Sequence, residues 1–371
     1  MKVIALGGAG DMGSYAVRDL AKQDEVTELM IADYNDEAAG ALARELGPKC
    51  KSMKVDANNP SELVRAIEGY DVATSAIGPF YKYERKVAKG ALDAGVNYVS
   101  ICDDYDAAQS VFELDEEAKK KKVTILTGLG WTPGLSNVLA RKGADLLDDV
   151  DEITVCWGGS ASDSEGYAVI LHTIHIFTGF VPSYQNGRTK MVAAGSDREK
   201  IRFPEPVGEI YVYNLGHPEP VTIPRFITAR NVILKGGLSE EELNFIARAL
   251  AKGHLTGTVT LKDYLGKLIK FLGPVLFQLG KPENPCSAIR VDVTGKKGGE
   301  WKHFTYGAAD HMNALTGLPL SIGALMMGRG QIKQKGVQAP ESCIDVDKFL
   351  AELGNRDVRV YEGSDFENLI N

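Results

Sequence analysis

Short β-branched runs alternate with stretches of helical period along the first 130 residues, a pattern that predicts βαβ units in a parallel sheet. Strands are expected at Val3 to Leu6, Leu29 to Asp33, Ser52 to Asp56, Val72 to Ala76, Asn97 to Ser100 and Val123 to Leu126. Helices are expected between them at Asp11 to Lys22, Asp36 to Leu46, Ser61 to Ile67, Glu84 to Ala94 and Tyr105 to Lys120. Six strands with five crossovers is the count of a full doubly wound dinucleotide fold.

The texture changes after Trp131. Thr132-Pro133-Gly134 offers a helix cap followed by a proline suited to a first helical position, so the boundary between two domains, 1–131 and 132–314, is placed there. A strand over Glu152 to Gly158, a turn at Asn186-Gly187 and a hairpin running from Ile289 through Gly295 to Gly299 and on to Tyr306 predict a mixed, largely antiparallel sheet. Helices at Ser239 to Lys252 and Lys262 to Leu279 make this second domain α+β, and the 315–371 segment is expected to return to the first domain. The fold class is therefore α/β for the N-terminal doubly wound sheet, with a second α+β domain.

The chain has 371 residues, 44% of them hydrophobic and 25% charged, which suits two globular domains and excludes disordered or collagen-like classes. Lys and Arg number 42 against 50 Asp and Glu, a net charge of −8 that lacks the concentrated positive surface nucleic acid requires. Cys50, Cys102, Cys156, Cys286 and Cys343 are odd in number and far apart, which points to a reducing cytoplasm rather than a disulfide framework. The apolar Val3 to Leu6 run is too short for a leader or a spanning helix, and no later run reaches the ~18 apolar residues of a membrane span, so no membrane partner is expected.

Gly8-Ala9-Gly10-Asp11-Met12-Gly13 follows the first strand and opens a helix, the context in which a G-x-G-x-x-G pattern is informative. The first glycine permits a tight turn, the second lets backbone approach a pyrophosphate, and the third lets helix pack on strand. Twenty residues beyond Gly13, Asp33 ends the second strand, where its carboxylate can accept from ribose hydroxyls and repel a 2′-phosphate. Tyr34 follows it, with no Arg or Ser to build a phosphate pocket; NAD is therefore expected rather than NADP. Asp56 and Ala57, ending the third strand, are candidates for the adenine side, and Ala76-Ile77-Gly78-Pro79, after the fourth, for the nicotinamide side.

Together Gly8 to Gly13, Asp33, Val55-Asp56-Ala57, Gly78 to Tyr81, Gly95 to Val99 and Gly128 to Asn137 resemble the saccharopine dehydrogenase family, and most nearly its compact lysine 6-dehydrogenase-like branch. The resemblance implies an NAD(P)-dependent oxidoreductase acting at a C–N bond of a small amino acid or opine. It further implies a second domain that carries substrate and homodimer contacts, and a C-terminal segment returning to the Rossmann domain. One departure is that Ser100-Ile101-Cys102 intervene before Asp103-Asp104, where family members usually place an acid directly on the strand.

Oxidising an amine to an imine requires a neutral nitrogen, hence a proton acceptor beside it. Candidates are Asp103, Asp104, Tyr81, His172, His175 and His217, with Asp103, His217 and Tyr81 put first, and Arg225 as the bidentate ligand of a substrate carboxylate ahead of Arg230 and Lys235. His172 and His175 share a helix face but lack a third ligand at recognisable spacing, so they are read as packing or substrate-polarity residues and no metal is expected. Two alternatives stay open: a C=O or C=C reductase on the same scaffold, and a non-catalytic NAD sensor.

Overall fold

In a computed structural model, residues 1–163, 166–252, 265–269, 271 and 282–371 are described. They divide into two compact units, the first comprising Met1–Leu135 with Asn313–Asp345, the second Ser136–Met312 with Val346–Asn371.

The first unit is built in chain order from β1 (Lys2–Leu6), α1 (Asp11–Lys22), β2 (Glu28–Asp33), α2 (Asp36–Leu46), β3 (Cys50–Lys54), α3 (Pro60–Ile67), β4 (Val72–Ser75), α4 (Phe80–Ala94), β5 (Asn97–Ser100), α5 (Tyr105–Phe112), α6 (Asp115–Lys121) and β6 (Thr124–Leu126). These strands are parallel in the order β6-β5-β4-β1-β2-β3, and the strand Gly336–Gln338 extends the sheet beside β6. The doubly wound expectation holds. Strand order reverses between β4 and β1, and at such a switch point the carboxyl ends of the strands leave a crevice for a ligand. Ile4, Leu6, Ala73, Tyr98 and Ile125 fill one face with almost no exposure.

Among the boundaries that differ from expectation, three have a visible cause. β3 begins two residues earlier, because Cys50 pairs in register with Leu29. The single helix expected over Tyr105 to Lys120 breaks at Glu113-Leu114, and Asp115 restarts it with a carboxylate that accepts the Val337 N–H at 2.8 Å. α4 starts at Phe80 rather than Glu84, since the Asp104 carboxylate accepts the Tyr81 N–H at 2.7 Å and so caps the helix from a distant loop.

The second unit contains α7 (Leu135–Ala144, from its second residue), β7 (Asp149–Gly159), α8 (Tyr167–Ile176), β8 (Phe180–Gln185), β9 (Arg188–Ala193), β10 (Glu199–Arg202), β11 (Glu209–Asn214), α9 (Glu219–Phe226), β12 (Ala229–Leu238), α10 (Glu241–Lys252), β13 (Ser287–Lys297) and β14 (Glu300–Asp310). Its ten-stranded sheet is mixed and largely antiparallel, β7 and β12 forming its parallel pair among the described residues. Asn186 and Gly187 both take positive φ, 52° and 75°, which closes the β8–β9 hairpin in two residues. The helix expected over Lys262 to Leu279 falls largely outside the described residues.

The 315–371 segment does not return as a whole. The helix Met312–Gly328 packs in the first unit, where a side chain on Gly317 would strike Tyr15 Cβ at 2.6 Å and the Met12 carbonyl at 2.8 Å, and Ser321 donates to Asp19. From Val346 onward the chain belongs to the second unit, because Val360–Glu362 pairs with β14 through Ala308, Gly307 and Tyr306.

Candidate functional site

In the first unit the glycine loop caps the open end of β1. Gly7 takes φ +72°, and a Cβ there would lie 2.9 Å from Ile77 Cγ1 and 3.0 Å from the Ala76 carbonyl carbon. The left-handed turn and the close approach thus fall on Gly7, one residue before the motif singled out in the sequence; the doubled Gly7-Gly8 was the available signal. This contact brings Gly8 to Gly13 together with Ala76 and Ile77 on adjacent strand ends. Gly13 supplies the helix contact, since its Cβ would stand 2.2 Å from the Gly7 carbonyl oxygen.

Gly10 differs. A Cβ on it would meet only the Gly7 oxygen, at 3.3 Å, so its outer face is open, and it stands as N-cap of α1 without a side-chain cap. The N–H groups of a helix's first turn are directed at its N-terminal end, so the start of α1 beside Gly10 is a donor set that suits an anionic pyrophosphate. The cradle fits a dinucleotide.

Asp33 is held by two backbone donors, Ala9 N–H to Oδ2 at 3.1 Å and Asn35 N–H to Oδ1 at 2.9 Å. Its charge is thereby fixed beside the glycine loop with lone pairs remaining. Tyr34 next to it is 69% exposed, and Lys54, the register partner of Asp33, sets its Nζ 5.1 Å from the Tyr34 ring centroid. Asp56 Oδ1 accepts the Asn58 N–H at 2.8 Å and so shapes the turn after β3, with Ala57 buried behind it. Pro79 is the N-cap of α4, and Gly78 joins it to Ile77.

Asp103 and Asp104 lie between β5 and α5, Asp103 partly buried and Asp104 fully buried against Tyr81 of α4. Sequence reading missed the neighbour that matters most here. Glu84 on α4 is wholly buried and accepts hydroxyls from Ser100 at 2.6 Å, Tyr98 at 2.9 Å and Thr127 at 3.2 Å. Burial pushes its carboxyl up to about 7, against the three hydroxyls that favour the charged form. Burial likewise raises the Cys102 thiol well above its ordinary range, which leaves it unreactive.

In the second unit His217 stands just before α9, 2% exposed. Its Nε2 lies 3.3 Å from His172 Nε2 on α8, and its ring centroid 5.8 Å from that of Trp157 on β7. Glu219, in the first turn of α9 where the helix dipole favours an acid, places Oε2 3.8 Å from His217 Nδ1. The Ser136 hydroxyl donates to Glu219 Oε1 at 2.9 Å. His175, on the same helix as His172, is also buried. Arg225 sits exposed in the last turn of α9. Arg230 donates to Asn186 and faces Asp151, and Lys235, 6% exposed, is paired with Asp197 at 2.9 Å and Glu199 at 2.7 Å.

Residues 3–126 match the family described as the saccharopine dehydrogenase NADP binding domain. The carboxyaminopropylagmatine dehydrogenase of Synechocystis sp. is 24% identical, with 95% of this chain and 96% of that protein covered. Among solved structures, saccharopine dehydrogenase (L-Glu forming) from Saccharomyces cerevisiae superposes with a TM-score of 0.68 at 18% identity, covering 98% of this chain and 99% of the other. An engineered D-amino acid dehydrogenase bound to NADP+ gives 0.50 at 14% identity, covering 96% and 99%. Those two likenesses establish the fold. Residues 3–126 are thus similar to a nicotinamide-dinucleotide-binding domain, and their glycine loop lies at the crevice between β4 and β1. Among the described residues no helix is long and apolar enough to cross a membrane.

Proposed function

We propose that the chain is an NAD(P)-dependent dehydrogenase acting at the C–N bond of a small amino acid or opine. The observation that carries this reading is the glycine loop at the sheet's switch point with Asp33 held against it, in a chain similar over nearly its whole length to a carboxyaminopropylagmatine dehydrogenase. The nicotinamide, when bound, accepts a hydride from the carbon bearing nitrogen. The chain's own task is to take a proton from the substrate ammonium, since only a neutral amine has the lone pair that assists hydride departure. His217 and Asp103 are the proposed acceptors, Tyr81 a hydrogen-bonding neighbour, and Arg225 the ligand of the substrate carboxylate.

NAD is the proposed cofactor, because the Asp33 charge is fixed by two N–H donors where a 2′-phosphate would be repelled. A second reading, NADP, is favoured by the name of the domain family and by Lys54, a cation on the strand end beside Asp33. A homodimer through the second domain and a cytoplasmic location complete the proposal; five buried free cysteines suit a reducing compartment.

The test is nicotinamide reduction, followed by absorbance, with either cofactor against lysine, saccharopine, other amino acids, opines and hydroxy acids. Turnover of amines and not of hydroxy acids is expected. Turnover of hydroxy acids alone would make the chain a carbonyl reductase, and tight dinucleotide binding without any turnover would make it a sensor.

A further inference from the structure

The outer strand of the β8–β9 hairpin is a sheet edge. β9 pairs with β8 on one side, and among the described residues no strand pairs with it on the other. A bare edge of this kind is a template for a further strand. It is also held in place at both ends. At the turn, the Gly187 N–H donates to the Arg230 carbonyl at 2.9 Å and the Asn186 N–H to Asn231 Oδ1 at 3.0 Å, which ties the hairpin to β12; beyond Ala193, the Ala194 N–H donates to the Gly179 carbonyl at 2.9 Å.

The phase of the hairpin decides which groups this edge offers. A two-residue turn makes its flanking residues, Gln185 and Arg188, a hydrogen-bonded pair, and hydrogen-bonded and open pairs then alternate along the ladder. Arg188, Lys190 and Val192 thus spend their backbone groups on β8, whereas Thr189, Met191 and Ala193 turn theirs outward. The side chains of those three share one face of the sheet with Phe180 of β8. Met191 on that face is 50% exposed and Phe180, the register partner of Ala193, 66%.

This edge is complementary to itself in one register. Two identical strands related by a two-fold axis normal to the sheet run antiparallel, and residues opposite each other keep their side chains on one face. With Met191 on the axis, the matched pairs are Met191 with Met191, Thr189 with Ala193 and Ala193 with Thr189. All are outward-facing, so each pair exchanges two N–H···O bonds. Lys190 then stands opposite Val192. A slip that centres Lys190 on the axis sets two ammonium groups directly opposite each other and loses one of the bonded pairs; like charges so placed repel. β9 carries two cations and no acid, so Lys190 selects between the two registers.

We propose that β9 pairs antiparallel with β9 of a second copy of this chain, with Met191 on the two-fold axis. The inference rests on the homodimer reading above and names the surface that forms it.

The experiment uses the whole chain, its mass followed by sedimentation from micromolar concentration upward. The parent should dimerise reversibly. Met191→Lys places two charges at the axis and removes apolar contact, and should raise the dimer Kd about tenfold or more. Met191→Cys should form a disulfide-linked dimer on mild oxidation, because a hydrogen-bonded antiparallel pair sets its Cα atoms about 5.5 Å apart, within disulfide reach. Lys190→Cys should not, and the five native cysteines, free and buried, leave a quiet background. Should Met191→Lys fold poorly, the two cysteine variants decide. A parent dimer with an unchanged Kd in Met191→Lys, or with no cross-link at Cys-substituted position 191, would overturn β9 pairing and leave the homodimer to another surface. Cross-linking of Lys190→Cys in place of Met191→Cys would overturn the register. A parent that stays monomeric throughout would overturn the homodimer reading and this inference together.

Discussion

The Ser100 hydroxyl donates to Glu84 Oε1 at 2.6 Å inside a wholly buried pocket, tying the end of β5 to the interior face of α4. The consequence is a pH-dependent stability. Burial raises the folded carboxyl from 4.5 to about 7, so the folded chain binds this proton more tightly than the unfolded chain. Stability from this group is complete below about pH 4.5 and is lost as pH rises toward 7, where ionising it in the interior costs about 3 kcal/mol at roughly 1.4 kcal/mol per pH unit. Glu84→Gln keeps the shape without the charge. Denaturant unfolding between pH 5 and 8 should show a shallower pH slope in this variant than in the parent; equal slopes would mean that Glu84 does not titrate there.

The glycines of the first loop should separate by function. Gly10→Val leaves the fold intact and abolishes dinucleotide binding, because its side chain points into open space that the pyrophosphate needs. Gly13→Ala should do the opposite first, destabilising by about 1–3 kcal/mol, since its methyl would stand 2.2 Å from the Gly7 oxygen and force α1 away from the loop. Thermal unfolding and a fluorescence titration of the reduced cofactor, made on both variants, check the pair. A folded Gly10→Val variant that still binds dinucleotide would count against the assigned cradle.

What the sequence made legible here is what depends on local spacing. β1, the glycine loop, α1 and Asp33 follow from period and separation along some thirty residues, and the structure shows them in register. Glu84 was visible only as the start of a helix; in fact Glu84, Val87, Ala88 and Ala91 line one buried face, and an acid in such a row is the signal that was available. The start of α4 was not legible, because its cap comes from Asp104, 23 residues away. His172 and His217 are separated by 45 residues, and only the path of the second sheet brings α8 beside the start of α9. The division of the C-terminal segment at Asp345 likewise depends on strand pairing with β14, a partner that a short apolar run does not specify.

Arg225→Lys should weaken substrate binding while leaving dinucleotide affinity nearly unchanged, because an ammonium cannot reproduce the planar two-point grip of a guanidinium on a carboxylate. Losing one charge-assisted contact costs roughly 1.5–3 kcal/mol, or about one to two decades in kcat/KM. Steady-state kinetics on whichever amine the panel identifies will decide. Arg230→Lys and Lys235→Ala serve as comparisons at the two cations that follow Arg225 in the chain. A loss confined to Lys235→Ala would move the carboxylate site off Arg225.

Cofactor preference should turn on two side chains at adjacent strand ends. Asp33 carries a fixed negative charge, and its lone pairs not used by Ala9 and Asn35 are available to ribose hydroxyls, so the parent should bind NAD more tightly than NADP. Lys54 opposes this, a cation lying over Tyr34 beside the same strand end. Asp33→Ala removes both an acceptor and the repulsion. It should weaken NAD, strengthen NADP relative to it, and so narrow or reverse the ratio. Lys54→Ala removes an attraction for a 2′-phosphate and should widen the ratio toward NAD, chiefly at low ionic strength, because an exposed cation acts through a screened field. Dissociation constants for both dinucleotides, measured at two salt concentrations in the parent and the two variants, give the answer. If the parent already prefers NADP and Lys54→Ala abolishes that preference, Lys54 sets the specificity and Asp33 serves to hold the glycine loop through Ala9.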